Sequence, residues 1–93
     1  MEVKFSLAYH ELVIREDIPK IAPEWRIKIK AAIEVKLLIA PEQFGKPLGK
    51  SLKGYRKLRV GDYRIIFKIA GNKIKIFVIQ HRKVVYRGPT KRL

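Results

Sequence analysis

Along MEVKFSLA, polar and apolar residues alternate, with Val3, Phe5 and Leu7 set against Glu2, Lys4 and Ser6. That is the period of a short strand. From Ala8 to Asp17 the apolar positions around Leu12 and Val13 are read as a helix, which Pro19 ends. APEWRIKIKAAIEVKLLIAPEQ is ambiguous at first, because Trp25, Ile27 and Ile29 alternate as in a strand. Length arbitrates. No turn signal interrupts it, Pro23-Glu24 suits a helix start, and Pro41 falls just past the end. Trp25, Ile29, Ala32 and Ile33 then lie near one face of a second helix.

EQFGKPLGKSLKG reads as a glycine- and lysine-rich loop, and from Tyr55 the pattern becomes sheet. YRKLR, YRIIFKI and IKIFVIQ are strands, separated by turns at VGD and AGNK, and KVVYR is a candidate further strand. The tail GPTKRL is expected to be mobile. The order β-α-α-β-β-β predicts an α+β fold, an antiparallel sheet of about four strands with two N-terminal helices packed on one face. Residues 1–93 form a single domain.

Turn chemistry predicts the register. Gly71-Asn72 as a two-residue hairpin loop pairs Ala70 with Lys73, then Ile69 with Ile74, Phe67 with Ile76, Ile65 with Val78 and Tyr63 with Gln80. That apolar face should lie beneath the helices. The helix-free face would carry Arg64, Ile66, Lys68, Lys75, Phe77, Ile79 and His81. A two-residue loop at Val60-Gly61 would pair Arg59 with Asp62, Leu58 with Tyr63, and Lys57 with Arg64; a three-residue turn would change the parity. Cations directly opposite each other are mildly destabilising unless an anion sits between them.

Charge sharpens this picture. Residues 1–42 hold seven basic and seven acidic side chains, whereas residues 43–93 hold fifteen basic ones and a single acid, Asp62. The net charge of +14 therefore belongs to the second half, and such self-repulsion points to a polyanionic partner, nucleic acid first and an acidic protein second. An arginine on a one-sided sheet is ordinarily just solvated, and Phe77 alone reads first as packing. Cations around Ile66, Phe77 and Ile79, however, suit a surface where phosphates meet charge and bases stack. The chain has no cysteine, which excludes disulfides and thiolate metal sites and suggests a cytoplasmic protein. No apolar run is long enough for a membrane span. One Met, one Asn and thirteen Ile hint at a thermophilic source.

With these residues in hand, GKPLGKSLKGYRKLRVGDYRIIFKI followed by IKIFVIQHRKVVY resembles the RelE/ParE superfamily of toxin–antitoxin toxins, and the N-terminal strand and helical pair fit its plan. The resemblance implies a ribosome-dependent endoribonuclease that cleaves mRNA in the ribosomal A site, with ribosomal RNA as a further partner. A ribose 2′-hydroxyl would attack its neighbouring phosphate with no metal or other cofactor, cations stabilising the transition state. On the matching positions, Arg64 is similar to the phosphate-binding arginine and Lys57 to a base or stabilising lysine. Arg82 matches the C-terminal catalytic arginine, Tyr86 the tyrosine that orients the nucleotide, and His81 a recurrent histidine able to act as acid or base. Lys46, Lys50, Lys53, Arg56, Arg59, Lys68 and Phe77 are the candidate RNA-binding residues. Surface packing is the competing role for His81 and for His10, and Glu42 is the only carboxylate near the loop that could stand in for the base of some relatives. A cognate acidic antitoxin is the implied protein partner. The alternative is a ParE-like toxin, a DNA gyrase inhibitor without nuclease activity.

Overall fold

The computed structural model describes residues 4–49, 54–85 and 92–93. Five strands form one sheet in the order β1-β5-β4-β3-β2: β1 is Ser6–Tyr9, β2 Lys46–Pro47, β3 Tyr55–Val60, β4 Tyr63–Ala70 and β5 Lys73–His81. Between β1 and β2 run a π-helical turn, Val13–Asp17, a 3-10 turn, Ile18–Lys20, and helix α1, Pro23–Ala32, prolonged by a second π-helical turn, Ile33–Leu37. A last short helix, α2, is Pro41–Phe44. Proline at the first turn of α1 and α2 fits both starts, because its missing N–H would lack an intrahelical partner there anyway.

The α+β expectation holds, with three differences. β1 pairs with β5 in parallel, because the intervening helices carry the chain back across one face before the sheet is completed. β2 is a two-residue strand inside the segment read as loop. The candidate strand KVVYR does not extend the sheet: residues 82–85 turn back, with Val84 N and Val85 N both donating to His81 O, and residues 86–87 lie outside the described residues.

Packing occupies both faces of the sheet. Beneath the helices, Val13, Ile21, Ile29, Ile33 and Leu37 meet Leu58, Ile65, Phe67, Ile74, Ile76 and Ile79. On the other side Ile66, Phe77, Val78 and Val85 form a second buried cluster, joined by Leu48, Tyr55 and Leu93. The face predicted to be free of cover is thus partly closed by the chain after β5. Leu93 accepts a hydrogen bond from the Tyr55 hydroxyl at 2.8 Å. The tail expected to be mobile is therefore anchored at Arg92 and Leu93, while residues 88–91 lie outside the described residues.

Register is where the sequence expectations most need correction. The β4–β5 hairpin follows prediction from Ala70↔Lys73 to Phe67↔Ile76, then shifts by one residue between Ile66 and Phe67. Beyond that bulge Ile66 pairs with Val78, Ile65 with Ile79, Arg64 with Gln80, and Tyr63 with His81. Ile79 and His81 therefore change faces relative to the expectation, and Phe77 and Val78 both enter the second cluster. The physical cause is apolar demand on both sides of the sheet, which one extra residue in β5 satisfies.

The same region explains a buried carboxylate. After β1 ends, the edge of β5 would lose its ladder partner. Asp17, 3% exposed, accepts there from Ile79 N at 2.9 Å and from Gln80 Nε2 at 3.0 Å. Arg92 completes the cluster with two guanidinium contacts to Asp17, at 2.6 and 3.0 Å, and donates to Phe77 O at 3.1 Å. An isolated buried carboxylate would be costly; here it has four donor contacts.

The β3–β4 turn is Gly61-Asp62 rather than Val60-Gly61, so Val60 pairs with Tyr63, Arg59 with Arg64, and Lys57 with Ile66. Gly61 has φ +58°, and a Cβ on it would collide with the Trp25 ring. Gly61→Ala is expected to destabilise the fold by at least about 1–2 kcal/mol from backbone strain alone. A thermal melt unchanged from wild type would show that turn and ring can move apart freely.

Candidate functional site

Side-chain alternation brings the strand cations together. Tyr55, Lys57 and Arg59 of β3 share a face with Arg64, Ile66 and Lys68 of β4, the face opposite the helices. Lys57 and Arg64 are thus on one face, as expected, but they are diagonal rather than directly opposed. Cations do stand directly opposite each other at Arg59↔Arg64, at Lys46↔Lys57 on β2 and β3, and at Lys68↔Lys75 on β4 and β5.

Each cation has a distinct setting. Arg64 is 8% exposed, and its Nη1 donates to the carbonyls of Gly61 and Tyr63, both at 3.0 Å. Among the described residues no carboxylate lies within ion-pair distance of it. Arg59 is exposed on the facing strand. Arg82 adjoins the same turn: its backbone N–H donates to Asp62 O at 2.7 Å, and its Nε lies 3.5 Å from Asp62 Oδ1 on an exposed surface. Arg82 is held loosely, since exposed ion pairs of this kind contribute little.

His81 closes β5 on Tyr63's side of the sheet, its ring edge-on to Tyr63 with centroids 5.7 Å apart. Its Nδ1 accepts from Lys83 N at 3.1 Å, so in the neutral imidazole the proton sits on Nε2. With Asp17, Lys20, Tyr63 and Gln80, His81 lines a cavity of about 150 Å³. The pleat therefore separates it from Arg64.

Other predicted residues disperse. Arg56 pairs with Phe67, and its Nη1 donates to Gly45 O at 2.8 Å on the helix side. Lys68 covers the Tyr55 ring with Nζ 5.0 Å from its centroid. Phe77, 9% exposed, stands edge-on to Tyr55 at 5.2 Å and near His10 at 6.0 Å, packed in the second cluster. His10 Nδ1 accepts from Leu12 N at 3.1 Å, a local role at the start of the helical region. Lys50, Lys53 and Tyr86 lie outside the described residues. No helix among the described residues is long and apolar enough to cross a membrane.

Sequence reasoning missed Asp17 and Arg92, which support the site's end of β5. The unbroken apolar run Phe77-Val78-Ile79 was the available sign that alternation fails there. Nothing local marks Asp17 and Arg92 as partners across the chain.

A small twisted sheet with a helical cover on one side and a corner of arginines and lysines at its β3–β4 end defines a toxin-type fold of the RelE/ParE superfamily. The chain shares it with the toxin–antitoxin complex RelBE2 from Mycobacterium tuberculosis, with a TM-score of 0.79 at 25% identity over 88% of this chain and 95% of that one. A RelB–RelE antitoxin–toxin complex from Methanococcus jannaschii matches with a TM-score of 0.65 at 24% identity, over 85% of this chain and 94% of that one, a likeness of fold. The model of the ParE toxin of type II toxin–antitoxin systems matches residues 12–86, and the chain belongs to that family. Among curated proteins, Toxin RelE of Mycobacterium tuberculosis (strain ATCC 25618 / H37Rv) is 38% identical over 53 residues, a match that spans 55% of each chain.

Proposed function

We propose that this toxin is a metal-independent endoribonuclease that cleaves mRNA in the ribosomal A site, restrained by an acidic antitoxin. The observation that carries the reading is the cation corner, where Arg59 faces Arg64 across the β3–β4 hairpin. Cations opposed in this way cost stability in the free protein and become favourable when a phosphate enters. The 38% identity to a relative named Toxin RelE favours RNA over other polyanions.

In this reading the ribose 2′-hydroxyl gives its proton to a base and its oxygen attacks the adjacent phosphorus while the bond to the 5′-oxygen breaks; that oxygen takes up a proton as it leaves, giving a cyclic phosphate and a free 5′-hydroxyl. Charge builds on the non-bridging oxygens. Arg64, fixed by the turn carbonyls, supplies donors that need little reorganisation, and the exposed Arg59 opposite it adds a second cation. Arg82 can leave Asp62 for the phosphate, because an exposed ion pair is cheaply exchanged. Lys57 serves as base or stabiliser, and Tyr86 orients the nucleotide. His81 lies on Tyr63's side of the sheet, away from Arg64. Arg59→Ala and Arg64→Ala are therefore each expected to slow cleavage more than His81→Ala, measured by primer extension on a translated message. A greater loss in His81→Ala would move the reaction to the other face of the sheet.

A second reading has its own support. The matching family model is that of ParE toxins, and Arg64 already spends donors on its own turn. As a gyrase inhibitor, the chain would arrest growth without new 5′ ends in mRNA, while gyrase supercoiling would fail. Primer extension and a supercoiling assay on the same cultures separate the two readings.

A further inference from the structure

Beside the cation corner, and sharing Lys46, Lys57 and Arg59 with it, one surface adds an aromatic ring and a further cation to which the chemistry gives no role. Lys36, Phe44, Lys46, Lys57, Leu58 and Arg59 line a cavity of about 220 Å³ where the short β2 leaves the end of β3 uncovered. Four of the six are cations and none is an acid. Phe44 is 44% exposed at the end of α2, a large ring left in water beside this charge. Lys36 holds Nζ 5.7 Å from the Phe44 ring centroid, a loose cation–π contact that a phosphate could outcompete.

We infer that this groove is a grip for single-stranded RNA, in which one base stacks on Phe44 and the flanking phosphates meet Lys36, Lys46 and Arg59. Stacking explains the exposed ring, since every base offers a π-face. The cations explain why the strand is a polyanion, and the absence of a lining carboxylate argues against a basic or neutral peptide. Arg59 belongs to both places, being exposed at this cavity and opposite Arg64 in the cation corner. A strand leaving the corner can therefore follow β3 toward α2. One of the gripping residues, Lys36, comes from residues 1–42, whose net charge is zero, and Phe44 stands just beyond them at the end of α2. The grip rests on RNA being the polyanion, as in the nuclease reading, but requires no cleavage.

Binding to a fluorescent, fully 2′-O-methylated single-stranded RNA tests it, because that probe lacks the attacking hydroxyl and reports binding alone. Phe44→Ala should weaken binding of the full-length toxin by about 5- to 150-fold. Lys36→Gln and Lys46→Gln should each reduce the salt slope of log K by about 0.7. Lys73→Gln, at the distant β4–β5 turn, should leave the slope within error. Equal binding by Phe44→Ala, or an equal slope change in Lys73→Gln, would overturn the grip and leave only diffuse charge attraction. If duplex DNA binds as tightly and responds equally to Phe44→Ala, the single-strand assignment fails. The nuclease reading fails separately, by lack of new 5′ ends on natural RNA.

Discussion

Asp17→Ala is expected to lower the free energy of unfolding by about 3–5 kcal/mol, among the larger effects available to a single substitution in so small a domain. The carboxylate is buried and accepts from Ile79 N, Gln80 Nε2 and both terminal nitrogens of Arg92. Its removal leaves the Arg92 guanidinium, whose side chain is 6% exposed, without its closest counter-charge. Glu16 lies 3.6 Å from Arg92 but is largely exposed, so it offsets little of this loss. Arg92→Ala should cost a comparable amount, because it strands the anion instead. The double variant Asp17→Leu/Arg92→Met should be closer to wild type than either single one, since a desolvated ion pair is roughly matched by an apolar pair of similar volume. Urea unfolding of all three proteins checks this. Additive losses would mean that the two side chains act independently.

Arg64→Ala should reduce mRNA cleavage about 10²–10³-fold, the range found when one fixed donor to a transition-state oxyanion is removed, and should release growth arrest. Arg64→Lys should recover little. A lysine is a single point donor, whereas the guanidinium can hold the Gly61 and Tyr63 carbonyls and still direct its other nitrogens outward. The fold should survive, because those carbonyls belong to a turn that water can reach. Quantitative primer extension beside circular dichroism is the decisive pair of measurements. Cleavage unchanged with Ala at position 64 would remove this arginine from the chemistry.

Much of the site's face was legible in the sequence, and its pairing was not. Period-2 alternation placed Lys57, Arg64 and Lys68 together opposite the helices, because parity depends only on counting along each strand. The partner of Arg64 depended on which residues form the turn. Gly71-Asn72 and Gly61-Asp62 obey one rule, glycine first with φ of +60° and +58°. Reading Gly61 as the second turn residue displaced every pair in that hairpin while leaving the faces correct.

By itself, the sequence determined the α+β class, the helical cover, the hairpins, the location of the positive charge and the resemblance to the toxin superfamily. Class, cover, hairpins and charge follow from local periodicity, turn chemistry and counting, which need no knowledge of distant residues; the resemblance rests instead on matching motifs. Only the tertiary structure decided the parallel placement of β1, the bulge that turns Ile79 and His81 toward the helices, and the closing of the second face by Val85 and Leu93. It alone brought Asp17 to Arg92, and Phe44 to Arg59. These arrangements arise where segments far apart in the chain compete for the same sheet edge or the same apolar surface. That competition is settled by burial and by the need to satisfy buried polar groups, terms that exist only once the chain has closed on itself.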